Sequence, residues 1–131
     1  MSTPAPKPAV GFRRVIKALG YSYAGIRYAV LNEPAVREEL VVLAIFIPIS
    51  VLLPINTLEH LMLVVSMLLV VLVELINSAI ETVVNRISLE RNPLSGEAKD
   101  LASAAVFVAM CLSGLCWFVI AGPVVIHWLD R

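Results

Sequence analysis

The stretch Leu61-Met-Leu-Val-Val-Ser66-Met-Leu-Leu-Val-Val-Leu-Val-Glu74-Leu-Ile-Asn77-Ser78-Ala-Ile-Glu81-Thr-Val-Val-Asn85 decides how this chain folds. It contains no Lys or Arg, and its only charged residues are Glu74 and Glu81. A bilayer core of roughly 30 Å takes about 20 helical residues to cross, and in lipid the backbone must satisfy its own hydrogen bonds, so this stretch reads as a membrane-spanning helix. Glu74, Asn77, Ser78, Glu81 and Asn85 follow one another at i, i+3, i+4, i+7 and i+11. On a helix they fall within one arc of about 100°. A carboxylate at mid-span costs about 2.5–3.5 kcal/mol on insertion scales, so two on one face call for a reason. Asn77 and Ser78 alone would read as hydrogen-bonding glue between helices. Two glutamates favour a functional site, because a neutral residue would join helices at lower cost. By helical rise Glu74 lies roughly 10 Å deeper than Glu81. Three helices make a thin bundle, which points to a homo-oligomer with this polar face turned toward a neighbour.

Outward from that stretch the rest of the chain is consistent. It has 131 residues, room for one domain, and 60% of them are hydrophobic. A soluble domain of this size has too little interior to hide so much apolar surface. Net charge is zero, which gives no reason to expect nucleic acid as a partner. Residues 40–58 and 101–126 are two further apolar runs of spanning length. Pro48, Pro54 and Pro123 are expected to bend or end them, with a tight turn over residues 53–57. Cys111 and Cys116 lie within an apolar run and have neither metal-site spacing nor a disulfide framework. Lys7, Arg13, Arg14, Lys17, Arg27 and Arg37 precede the first run, and Arg86, Arg91 and Lys99 lie between the second and third. Lys and Arg concentrate on the cytoplasmic side, so the N-terminus is expected in the cytoplasm and the C-terminus across the membrane. Residues 1–38 hold no uninterrupted apolar segment of the kind a signal peptide needs.

Residues 1–10 are Pro-rich and are expected to be disordered. Beyond them Phe12, Val15, Ile16, Leu19, Tyr23, Ile26 and Val30 recur on one helical stripe, with Arg13, Arg14 and Lys17 on other faces. Such a helix should lie along the membrane surface, as an anchor alone or as part of the site. Charged residues gather at the same level: Glu33, Arg37, Glu38 and Glu39 before the first span, and Arg86 to Asp100 between the other two. Asn92-Pro93-Leu94-Ser95-Gly96 reads as a turn with Ser95 as N-cap of the third span. Acids that hold a divalent cation, beside cations that hold phosphate, suit phosphoryl transfer. Snorkelling and topology account for most of these arginines one by one. No phosphate-binding glycine loop is present, and His60 and His127 have no partner at ligand spacing. Ala98, Ala102, Ala105 and Ala109 form a small-residue stripe for helix packing.

Taken together, several blocks are similar to the prokaryotic diacylglycerol kinase family, the small three-span type of Gram-negative inner membranes. They are Gly11-Phe12-x-Arg14-x-Ile16-Lys17-Ala18, Gly20-Tyr21-Ser22, Asn32-Glu33 with Arg37 and Glu39, Glu74-x-x-Asn77-Ser78-Ala79-Ile80-Glu81, Leu94-Ser95-Gly96-x-Ala98-Lys99-Asp100 and Ser103-Ala104-Ala105-Val106. The resemblance implies an all-α integral membrane protein, an N-terminal amphipathic surface helix plus three transmembrane helices in a homotrimeric bundle. Its implied boundaries are a tail over 1–10 and one domain over 11–131, with the surface helix near 11–31 and spans near 38–56, 60–86 and 97–127. It implies transfer of the ATP γ-phosphate to diacylglycerol, giving phosphatidic acid at the cytoplasmic face of the bacterial inner membrane.

Carried onto matching positions, the resemblance makes Glu74 the general base and gives Glu33 and Glu81 the magnesium ion. Arg14, Tyr21, Glu33, Glu81, Lys99 and Asp100 would contact ATP, with Glu90, Arg91 and Asn92 lining it. The lipid would be bordered by Arg14, Ala18, Leu19, Gly20, Tyr21, Ser22 and Tyr23 on the surface helix. Ala35, Val36, Arg37, Glu38 and Glu39 would border it too, and Asn77 and Ser103 would shape the site with Glu74. The chain departs from the family pattern at Asn85, where an aspartate is expected, at residues 90–92, and at His60, where the pattern has a basic residue. Within the family an undecaprenol kinase is the rival reading. From another class, a proton- or ion-conducting oligomer would need acids through the whole span, yet residues 61–73 offer only Ser66 as a polar group.

Overall fold

The computed structural model describes residues 11–87 and 90–131; the Pro-rich residues 1–10 lie outside it. Four helices follow one another: α1 Phe12–Asn32, α2 Pro34–Leu52, α3 Thr57–Ile87 and α4 Pro93–Leu129. The described residues contain no strand. Helices α3 and α4 are long and apolar enough to cross a membrane, and only 11% of the most apolar stretch of α4 is buried within the chain. A core helix of a soluble protein would be covered; this one presents its side chains to a medium that accepts them, as lipid does. Helix α2 carries Arg37, Glu38 and Glu39 in its opening turns, so its stretch without charged residues is confined to residues 40–52.

Each boundary has a local cause. Between α1 and α2, Glu33 is extended (φ −105°, ψ 105°), the conformation that the following Pro34 imposes on the residue before it. Helix α2 ends at Leu52, with Leu53 as its C-cap just before Pro54, and α3 opens with a reciprocal cap. There the Asn56 N–H donates to Glu59 Oε2 at 2.8 Å, and the Glu59 N–H donates to Asn56 Oδ1 at 2.9 Å. This is a capping box with Asn in the place of Ser or Thr, and it satisfies backbone donors that a helix start leaves open. Pro48 and Pro123 lie inside α2 and α4 and end neither helix.

Helix α4 begins earlier than expected for the third apolar run. Helix α4 starts at Pro93, and Asn92 is its N-cap, its Oδ1 accepting the Leu94 N–H at 2.9 Å. Ser95 is therefore not the cap, and residues 93–96 are a first helical turn rather than a loop turn. Proline at the first helical position needs no N–H partner, so Asn92-Pro93 is the stronger start signal.

Packing is dominated by α3 against α4, with α2 laid on α3 and α1 meeting α2 at the elbow. Leu63, Met67 and Val70 on α3 are buried with Ala102, Ala109 and Ser113 on α4. The small-residue stripe is thus real but rotated, because Ala105 is exposed and Ser113 takes its place in the seam. Two bridges record the antiparallel register: Lys99 Nζ donates to Asn85 Oδ1 at 2.8 Å, and the buried hydroxyls of Ser66 and Ser113 lie 3.2 Å apart. The Ser66 hydroxyl also lies 2.8 Å from the Leu63 carbonyl, so it is satisfied within its own helix as well. The apolar stripe of α1, including Phe12, Leu19 and Ile26, is exposed on the chain.

Removing Ser66 and Ser113 hydroxyls singly and together, with unfolding followed in mixed micelles, is expected to yield a coupling of about 0.6 kcal/mol. No coupling would mean that close packing alone holds this seam.

Candidate functional site

Of the polar face on α3, the deeper half is covered by the chain itself. Glu74 is 7% exposed, Asn77 and Ser78 are equally buried, and Glu81 is half-buried. The expectation that this whole face turns toward a neighbour is corrected for Glu74, Asn77 and Ser78, which a single chain already encloses. Helical periodicity put them on one side; α2 and α4, both packed on α3, border Glu74.

Asn77 Nδ2 lies 3.5 Å from Glu74 Oε1, at the long limit of a hydrogen bond. One buried oxygen of Asn77 and one of Glu39 have no hydrogen-bond partner among the described residues. Among the same residues His60 Nδ1 and Trp117 Nε1 are buried without a partner as well; buried polar atoms are nearly always paired, so each such atom is a place where water or a ligand can supply the partner. Glu39 and Glu74 also line the same cavity, of about 530 Å³, between α2, α3 and α4. Ala35 and Glu38 sit with them on its wall, and apolar Val42, Met67 and Val70 continue it. Its far wall is Phe46 and Trp117, stacked edge to face with ring centroids 5.0 Å apart. The negative charges of Glu81 and Glu33 both reach Glu74, and that of Glu74 reaches Glu39. Four carboxylates from two helices and the elbow between α1 and α2 therefore share one neighbourhood.

A second hollow, of about 650 Å³, lies where Ser22, Gly25 and Ala29 of α1 approach Ser78 and Thr82 of α3, with Glu33 on its wall. A third, of about 590 Å³, is formed by Asn85, Glu90, Arg91, Asn92, Ser95, Gly96 and Lys99. Residues 90–92 and Lys99 are thus brought together. Arg14, Tyr21, Asp100 and Ser103 are exposed and line none of these three hollows, as is true of Ala18, Leu19, Gly20 and Tyr23.

Among the described residues no three His, Cys, Asp or Glu side chains gather as a self-sufficient metal cage. Glu33 lines the hollow beside α1 and Glu81 lies two turns beyond Glu74 on α3; two carboxylates would suit magnesium, which binds through one or two carboxylates plus substrate phosphates and water rather than an all-protein cage. The neutral Asn85 keeps a charge-free hold on Lys99, a role that spacing could have suggested only if the α3–α4 register were known. Phe46 and Trp117 escaped the sequence reading altogether, since aromatic residues in apolar runs carry no local signal of a shared cavity.

Comparison with known families matches residues 20–121 to the family described as Prokaryotic diacylglycerol kinase. The chain is similar to the diacylglycerol kinase of Escherichia coli K12, 44% identical over 110 residues, covering 84% of this chain and 90% of that protein. It is 44% identical over 107 residues to the diacylglycerol kinase of Haemophilus influenzae, covering 82% and 91% of the two chains. That of Pseudomonas aeruginosa is 42% identical over 119 residues, covering 90% and 97%. Apolar helices and a buried acidic site define a membrane enzyme, and the chain belongs to the prokaryotic diacylglycerol kinase family.

Replacing Asn85 by Ala removes the acceptor that holds Lys99, and amine modification at Lys99, read by mass spectrometry, is expected to quicken several-fold. An unchanged rate would mean that the bond does not restrain the ammonium.

Proposed function

We propose that this chain is an ATP-dependent kinase that phosphorylates the free hydroxyl of diacylglycerol, with Glu74 as general base. The observation that carries the reading is the cavity in which the Glu74 and Glu39 carboxylates adjoin apolar walls that include Phe46 and Trp117. A diacylglycerol molecule has that same polarity: one hydroxyl at the headgroup level and acyl chains below it. Family membership supports the same substrate.

In this mechanism Glu74 accepts the lipid hydroxyl proton as the oxygen forms its bond to the γ-phosphorus of ATP. The bond from that phosphorus to the β,γ-bridging oxygen breaks, and ADP leaves with the electron pair. Positioning and electrostatics do most of the work of such a transfer. Asn77 orients Glu74, and the apolar walls keep water from competing as the acceptor. Lys99, Arg14, Tyr21 and Asp100 contact the nucleotide, with residues 90–92 lining it. A magnesium ion held by Glu33 and Glu81 supplies neutralisation of the charge on the transferring group when it is bound.

The same reading takes α2 as a third span, α1 as a helix on the membrane surface and the working unit as a homotrimer. Its place is the bacterial inner membrane, N-terminus in the cytoplasm and C-terminus opposite. The apolar stripe left exposed on α1 and the distribution of Lys and Arg support it.

Glu74→Gln is expected to lower transfer by about 10²–10⁴-fold, the range for a general base, while Mg-ATP binding stays largely intact. Glu81→Gln is expected to weaken Mg-ATP binding itself. Full activity in the Glu74→Gln protein would sink the base assignment. Purified protein with labelled ATP should label diacylglycerol in mixed micelles; labelling of undecaprenol in preference would move the acceptor to a polyprenyl alcohol.

A further inference from the structure

The turn between α1 and α2 contains an arrangement that the lipid-bordering expectation for Arg37 does not explain. Helix α1 ends with open carbonyls, as every helix does, and its last turn has no basic residue to complement them. Its Ala29 carbonyl accepts the Glu33 N–H at 2.8 Å. The next two carbonyls are taken by a residue of the following helix. Arg37 Nη1 donates to Val30 O at 3.2 Å and to Leu31 O at 3.0 Å. Among the described residues the Arg37 guanidinium hydrogen-bonds these carbonyls alone, although Glu33, Glu38 and Glu39 are close in sequence.

The clamp spans Glu33. Pro34 forces Glu33 out of the helix, and the Arg37 N–H donates back to the Glu33 carbonyl at 3.3 Å. Ala29 and Val36, on either side of the elbow, are almost fully buried, so the backbone here is seated on the rest of the chain. An extended residue between two helices leaves their relative angle free to vary. A charge-assisted bond from α2 to the C-terminal end of α1 removes that freedom and brings a cation to the negative end of the α1 dipole.

We propose that Arg37 is a positioning residue for Glu33: by clamping the end of α1 it holds the elbow at the angle that keeps the Glu33 carboxylate at the level of Glu81 and Glu74. The proposal rests on the reading of Glu33 as a cation-holding residue and adds the device that places it.

The test uses the purified full-length protein in detergent micelles, with manganese as the probe, followed by electron paramagnetic resonance beside a non-hydrolysable ATP analogue. Diacylglycerol KM is measured in parallel on the magnesium-supported reaction. Glu33→Gln sets the reference. Arg37→Met is expected to weaken manganese–nucleotide binding by about ten-fold, as loss of an outer support for a metal ligand does, with diacylglycerol KM nearly unchanged. Arg37→Lys should restore part of the loss, and the Glu33→Gln/Arg37→Met pair should bind no worse than Glu33→Gln alone. Wild-type manganese binding in Arg37→Met together with a raised diacylglycerol KM would overturn the proposal and make Arg37 a lipid contact. If Arg37→Met does not fold, Arg37→Gln carries the same measurement, with a smaller loss expected and wild-type affinity overturning it. Unchanged binding in Glu33→Gln would instead defeat the reading of Glu33, an outcome separable from the others.

Discussion

A carboxylate between Val73 and Leu75, after a run of mostly Leu, Val and Met on α3, cannot be left facing hydrocarbon. Much of what surrounds Glu74 answers that constraint. Asn77 lies one turn on and offers its amide, α2 closes over the same face, and the cavity beside it keeps a polar end where Glu39 joins it. The cover is incomplete in an informative way. Unpaired oxygens on Asn77 and Glu39 each carry a cost, since a buried acceptor without a donor loses about 1–3 kcal/mol. The Ser66–Ser113 pair between α3 and α4 shows the contrast: two hydroxyls, mutually bonded and carrying no charge, although Ser113 also borders the cavity.

The site is built from elements that meet at one end of the bundle. The end of α3 brings Glu74 and Glu81, the elbow brings Glu33, the start of α2 brings Glu39, and the start of α4 brings Lys99. Each is held by a different local device: Pro34 fixes the break at Glu33, Asn92 and Pro93 start α4, and Asn85 restrains Lys99. Acids and a cation assembled in this way have the makings of phosphoryl transfer, in which fixed charges and aligned reactants matter more than covalent chemistry by the protein. The vertical separation of Glu81 from Glu74 along α3 matches a reaction between a water-soluble donor and a membrane-bound acceptor.

Much of this was legible in the chain. Residues 61–85 declared a membrane helix because length and the absence of basic side chains leave lipid as its only suitable solvent. The i, i+3, i+4, i+7 spacing put Glu74, Asn77, Ser78 and Glu81 on one face because helical geometry allows nothing else. Family blocks named the chemistry. The start of α4 was misread at Ser95 although Asn92-Pro93 was in view, since cap signals that crowd together within a few residues are ranked only by the backbone they form.

Tertiary structure decided what lies against that face. Whether a buried carboxylate is met by its own chain or by a neighbour depends on how α2 and α4 cross α3, and crossing is a property of side-chain packing over whole helices. The pairing of Asn85 with Lys99, of Phe46 with Trp117, and of Arg37 with the end of α1 followed from that packing. Periodicity within one helix determines which residues share a face; the angle and register between helices determine what that face encloses. The first is written in neighbouring residues, and the second exists only once residues far apart in the chain are brought together.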